Sequence, residues 1–524
     1  MVKFVGRARS VALALFSTAS VLVGMLPAAH AADPKSQTGA EIAVEKAEAV
    51  ETETGKLHRI TVDGKSISYR ASAGTLIIRD DAGKPTASMF YVAYTKEGAG
   101  AKDRPVTFLT NGGPGSASLW LNIGGFGPMR APTATPKATP PAPYKEQENP
   151  FTLLGESDLV FLDAIGTGYS RTIGDTPVNA YWGVDQDIDA FARGITRYIT
   201  KFDRWNSPRF LLGESYGTTR SAGLVYKLQN QGLDFNGVIL LSTLLNFGTG
   251  FQGSDIGAIN FVPTLAATAW YHNRSATHPA DLDTYLERAR DFAFGPYASA
   301  LLKGDRVSAE EEDSVARQLA GLTGLSVEFL KKNKLRVGME QYRNALLADK
   351  GIIIGRFDAR FTAPASYASG DGAFDPATND AATAGVTSAH LSLFRQHLVR
   401  DIGYTSEIHY RPLYNAVIEP QWDNKHKAPG IDRPLPFANT SLDLAGALQR
   451  NPNLKVLVMG GIYDLATPYA GAEYDISQLY LTPNLRQNVR FAHYRSGHMT
   501  YVDDTASAEM KADLDKFYNW AMQR

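Results

Sequence analysis

The chain contains no cysteine. That absence removes disulfides, thiolate metal sites, iron–sulfur clusters and a cysteine nucleophile, so any covalent catalysis has to use Ser, Thr, Lys or a carboxylate. An excess of either charge is lacking too. The chain sets 53 Lys+Arg against 54 Asp+Glu, a formal net charge of −1, without the basic surplus that neutralises phosphates, and nucleic acid is not expected as a partner. No His-Glu-x-x-His, phosphate-loop or dinucleotide pattern occurs, so neither metal nor organic cofactor is implied. Long apolar runs are missing except at the start, where Lys3, Arg7 and Arg9 precede an apolar stretch from about Val11 to Met25, then Pro27 and Ala29-His30-Ala31. A basic start, an apolar middle and a small-residue end are the pattern of an export signal over residues 1–31, and the apolar stretch is shorter than the roughly 20 residues of a spanning helix. The expected mature protein begins at Ala32 and is soluble in the periplasm or medium, with no membrane anchor. Without disulfides, its stability must rest on its core.

What is present is ample for a core: 524 residues, 44% hydrophobic and 20% charged, with 24 Tyr and 24 Phe. Glu41, Glu45, Glu48, Glu51 and Glu53 among Ala and Thr predict a solvated, mobile leader over residues 32–56. From Leu57 onward, Ser66–Tyr69, Thr75–Ile78 and Met89–Ala93 have the apolar content and alternation of opening strands. Short apolar runs then alternate with helical patterns, the signature of a parallel sheet covered on both faces: Val106–Leu109, Leu159–Leu162, Phe210–Leu212, Val238–Leu241, Val456–Met459 and Val489–Ala492. Ile188, Phe191, Ile195, Tyr198 and Phe202 make one apolar helix face. Residues 248–437 interrupt the alternation with a largely helical pattern, so the expectation is an α/β fold in two core parts, 57–247 and 438–524, around an inserted cap. The Pro-rich stretch Pro132–Pro143 is read as a stiff surface loop, and the oligomeric state is not legible.

Gly213-Glu214-Ser215-Tyr216-Gly217 follows a strand and precedes a helix, the setting of a nucleophile elbow, in which glycines permit the tight turn that lifts a serine out of the sheet. A serine at its free pKa is a poor nucleophile and needs a base and an orienting carboxylate, which in this fold class follow in the order Ser, Asp, His. Asp464, just past the Val456–Met459 strand, and His498, in Gly497-His498-Met499, fill those places. The rival base His493 lies within the last strand. An oxyanion hole is expected from two backbone N–H groups, that of Tyr216 and that of Gly113 in Asn111-Gly112-Gly113-Pro114-Gly115, directly after strand Val106–Leu109.

Asn111-Gly112-Gly113-Pro114-Gly115-Ser116, Asp163–Ser170, Gly213–Gly217, Tyr463–Pro468 and Gly497–Met499 together resemble the motifs of the serine carboxypeptidases, which share the α/β-hydrolase fold. The resemblance covers about 57–247 and 438–524 and implies that Asn111 and Glu214 hold the terminal carboxylate of a peptide substrate, Glu214 in its protonated form. A carboxyl beside a bound carboxylate is favoured neutral, so acidic pH should suit the enzyme. Leu109 stands where the family usually has a carboxylate-donating Trp, Ser116 where it has a cysteine, and Thr218 where it has a glycine. The resulting expectation is an exported serine carboxypeptidase working through an acyl-enzyme. A proline-releasing aminopeptidase, an esterase or an acyltransferase could use the same triad.

Overall fold

A computed structural model describes residues 45–250, 254–366 and 380–523. Nine main strands form one sheet: β1 (Glu53–Val62), β2 (Lys65–Arg79), β3 (Pro85–Lys96), β4 (Val106–Thr110), β5 (Asp158–Leu162), β6 (Arg209–Glu214), β7 (Gly237–Leu241), β8 (Lys455–Gly461) and β9 (Val489–Tyr494). Their order across the sheet is β1-β2-β3-β5-β4-β6-β7-β8-β9, with Arg171–Thr172 added beside β3. The first three are joined to one another and to β5 antiparallel, and from β5 to β9 every pairing is parallel. This is the α/β-hydrolase arrangement.

The six apolar runs fall on the parallel strands because both faces of the sheet are covered. Val238 and Leu240 point to one core, with helices α1 (Val184–Lys201), α2 (Tyr216–Asn230) and α6 (Ser441–Arg450), while Ile239 and Leu241 point to the other, with helix α7 (Asp504–Met522). Alternate residues thus bury on opposite faces and neither face needs a polar residue. Helix α1 buries Ile188, Phe191, Ile195 and Tyr198, as their spacing predicts.

Between β7 and β8 lies the insertion, which includes helices α3 (Asp255–Tyr271), α4 (Ala309–Thr323) and α5 (Ala381–His397) and the short antiparallel pair Ile352–Ile354 and Thr362–Pro364. It has its own apolar cluster, into which the core residues Ile462, Tyr463, Leu465 and Tyr469 also pack. Those four residues flank Asp464.

The leader expected over 32–56 is corrected in its last part. Ala47 bridges Ile173, Arg197 donates to both Glu51 carboxylate oxygens at 2.7 and 2.8 Å, and β1 begins at Glu53. Glu51 and Glu53, taken as solvating, are partners for Arg197 and Lys201 on α1. Residues 32–44 and the export signal lie outside the described residues. Among the described residues, no helix is long and apolar enough to cross a membrane.

Candidate active site

Three loops at the carboxyl ends of β6, β8 and β9 bring Ser215, Asp464 and His498 to one edge of the sheet, the place where open α/β sheets gather their ligands. Ser215 sits between β6 and α2 at φ 59°, ψ −129°, a backbone region that L-residues avoid. The turn survives because its neighbours leave no room for anything larger: a Cβ on Gly213 would lie 2.0 Å from the Gly217 carbonyl oxygen. Ser215 and His498 line one cavity of about 360 Å³ together with Asn111, Gly113, Glu214 and Tyr216.

His498 accepts its orientation from below. Its Nδ1 is 2.7 Å from Asp464 Oδ2, and Asp464, fully buried, accepts three further hydrogen bonds, from the N–H of Ala466 and from the N–H and hydroxyl of Thr467. Burial works against the imidazolium, but the charge of Asp464 and its hydrogen bond outweigh it and raise the His498 pKa above the ordinary value. With Nδ1 engaged by a carboxylate, Nε2 is the nitrogen left for proton transfer. The backbone of His498 is held as firmly: its N–H donates to the Phe357 carbonyl at 2.6 Å, its carbonyl accepts from Ser242 Oγ at 2.7 Å, and the Phe357 ring lies 4.7 Å from the imidazole. His493, by contrast, packs in β9 against Tyr469, and burial lowers its pKa to about 4.

The loop after β4 runs directly over the elbow. A Cβ on Gly112 would come within 2.4 Å of the Tyr216 nitrogen, so only glycine lets the two backbones meet. Tyr216 is the first residue of α2, where N–H groups have no carbonyl one turn back and the helix dipole favours negative charge. Gly113, at φ 108°, follows in the same loop and also lines the cavity. The Asp163–Ser170 segment braces this loop through Asp163 Oδ1, which accepts from the Ser118 N–H at 2.7 Å.

Asn111 and Glu214, distant in sequence, meet: Asn111 Nδ2 donates to Glu214 Oε2 at 2.6 Å. The Tyr501 hydroxyl donates to the same Oε2 at 2.8 Å, leaving Oε1 as the carboxyl oxygen available to the cavity. Burial raises the Glu214 pKa to about 7, against the opposing pull of His498 and of these two hydrogen bonds. The carboxyl is therefore neutral in mildly acidic solution, with an O–H to donate.

Sequence reasoning did not find Tyr501, nor the buried pair Asp187–Arg220. Arg220 Nε donates to Asp187 Oδ2 at 2.7 Å and Nη1 to the Asn111 carbonyl at 2.7 Å, with the Tyr216 hydroxyl 3.2 Å from Asp187. One network thus fixes both the Asn111 loop and the first residue of α2. The available signal was a lone arginine in a helix otherwise buried almost along its length. Ser116 Oγ accepts from Trp120 Nε1 at 3.0 Å and so orients a cavity-lining ring. Away from the cavity, Glu146, His397 and Asp401 bring metal-ligand atom types within 4.8 Å of one another. There His397 Nδ1 already lies 3.0 and 2.9 Å from the two carboxylates, which raise its pKa despite its burial.

With this geometry in place, comparison with known proteins finds that the family described as serine carboxypeptidase matches residues 66–246. Among solved structures, a proline iminopeptidase from Mycobacterium smegmatis aligns at 13% identity and TM-score 0.36 over 86% of this chain and 98% of its own. A putative aryl esterase from Burkholderia cenocepacia aligns at 12% and 0.33 over 86% and 100%, and a lipase at 14% and 0.35 over 86% and 100%.

Proposed function

We propose that this α/β-hydrolase, matched to the serine carboxypeptidases over residues 66–246, is an exported serine-type carboxypeptidase that releases carboxy-terminal residues from peptides. The observation that carries the reading is the hydrogen bond from Asn111 to Glu214 in the wall of the cavity that also holds Ser215 and His498. A serine hydrolase acting on neutral esters has no use for a buried acid kept protonated beside its nucleophile, whereas a neutral carboxyl and an amide are suited to receive a substrate carboxylate. Residues 1–31 would direct export and be removed.

In this mechanism the terminal carboxylate docks on Asn111 and on the Glu214 O–H, which places the last peptide bond over Ser215. His498 Nε2 takes the Ser215 proton as Oγ attacks the carbonyl carbon, and Asp464 stabilises the imidazolium that forms. The N–H groups of Gly113 and Tyr216 receive the developing oxyanion, each contributing on the order of 10²–10³ in rate. His498 then returns the proton to the leaving amine, the free carboxy-terminal residue departs, and water attacks the acyl-enzyme by the same route. Binding requires Glu214 to be neutral, so efficiency should fall as pH rises through about 7, and His498 must be unprotonated, which sets the acid limit.

The test is digestion of N-blocked and N-free peptides, with carboxylate or amide ends, followed by mass spectrometry from about pH 4 to 8 with Ser215→Ala as control. Stepwise loss from the carboxy terminus of blocked peptides, weaker for amides, is expected. Removal of the first residue from N-free peptides alone would replace this reading with an aminopeptidase.

A further inference from the structure

The insertion brings a cation to the cavity. Arg356 lies in its wall with Phe357, Thr383 and Met499, and no other Lys or Arg does among the described residues. Its main chain is held at both ends: the N–H donates to the Asp380 carboxylate, and the carbonyl accepts from Leu465 N–H at 3.1 Å, next to Asp464. The guanidinium carbon sits 4.9 Å from the centre of the Phe357 ring. Everything except the charged donors is therefore fixed. Those donors make no hydrogen bond or ion pair with any described residue, and Nε is buried without a partner.

Four residues on, Arg360 shows what a buried arginine here ordinarily does. It spends its donors on Asp358, the Arg495 carbonyl and Asp503 at 2.7–3.2 Å. A half-buried guanidinium that is pinned through its backbone in the wall of the nucleophile's cavity, without a partner among the described residues, is suited to receive an anion. Its flat fork matches a carboxylate two bonds at a time.

We infer that Arg356 binds a carboxylate of the substrate and sets specificity for it, an inference that deepens the peptidase reading and rests on it for the word peptide. The carboxylate belongs either to the chain terminus or to an acidic side chain beside the scissile bond.

The experiment measures kcat/KM for the wild type, Arg356→Gln and Arg356→Lys on N-blocked peptides paired as Glu against Gln at each of the last two positions, with free or amidated ends. Paired p-nitrophenyl esters, hemisuccinate against its methyl ester, are run alongside. Loss of a charge-assisted hydrogen-bonded pair should lower turnover of the charged member by about 10–100-fold relative to the neutral one in Arg356→Gln, with partial recovery in Arg356→Lys. A loss confined to Glu peptides assigns the side chain, and a loss shared by all free-acid peptides but not amides assigns the terminus. Equal losses on charged and neutral partners overturn the inference, as does a wild type with no preference for the charged member, a result that does not depend on either variant folding. If no peptide is cleaved, the peptidase reading fails by itself, and the ester pair still decides Arg356: selective loss on the hemisuccinate supports it and parallel rates refute it.

Discussion

Replacing Glu214 by Gln isolates the most consequential electrostatic feature of the site. The amide keeps an acceptor for Asn111 and Tyr501 and presents an N–H where the protonated acid has its O–H, so shape and donor survive while the titration is lost. In the folded protein the Glu214 pKa is pushed from 4.5 to about 7, chiefly by burial. Between those values the native state holds a proton that the unfolded chain has released, so stability falls as pH rises through that window. Two and a half pH units at about 1.4 kcal/mol each come to a cost on the order of 3 kcal/mol at pH 8 relative to pH 4. The assay is urea unfolding of wild type and Glu214→Gln at both pH values. The variant should gain on the wild type by that amount as pH rises, and its kcat/KM on free-acid peptides should lose the decline above about pH 7. Stability curves that stay parallel across this range, or an alkaline limb that persists in the variant, would refute the reasoning.

Four further outcomes follow from the same geometry. Ser215→Ala should abolish labelling by a fluorophosphonate, and Asp464→Asn should lower kcat by about 10³–10⁴ because the imidazole loses its orienting anion; steady-state kinetics on a chromogenic ester checks both. Tyr501→Phe removes a hydrogen bond that favours the Glu214 carboxylate, so the alkaline limb should move to higher pH, read from the kcat/KM profile. His426 is held between Asp185 and Asp443 at 2.6 and 2.7 Å; burial opposes its charge, but the two carboxylates raise its pKa to about 9. Its stabilising contribution is complete below the ordinary histidine pKa and lost as pH rises through about 9, and thermal melts of His426→Gln should show a flatter dependence over that range.

Strands buried on both faces are legible as unbroken apolar runs, and the triad is legible because each member is carried by a short local motif at a strand end. Strand β1 escaped notice because its exposed residues, such as Lys56 and Arg59, read as solvated. They stand on an edge strand with one neighbour and need no apolar run. Ser66–Tyr69 and Thr75–Ile78 belong to one strand, since the small residues Ala71, Ser72, Ala73 and Gly74 interrupt the apolar run but not the backbone pairing with β3. Tyr501 and the Asp187–Arg220 pair act through side chains that meet only after folding, and no spacing rule encodes such a meeting. Arg356 and Phe357 lie in the insertion, which no motif covers.

The three main-chain bonds that join residues 356–359 to the strand-end loops, Ala359 to Tyr463, Leu465 to Arg356 and His498 to Phe357, have an evolutionary and engineering consequence. A lid that only covers a site can be exchanged for another, or clipped away, with the chemistry left intact. Here the insertion supplies the backbone on which the imidazole is registered, within one compact unit from Glu45 to Arg524. Grafting a foreign insertion would therefore change the working geometry of the histidine along with substrate choice. New specificities in this scaffold are to be sought by altering side chains on the resident segment rather than by swapping it whole.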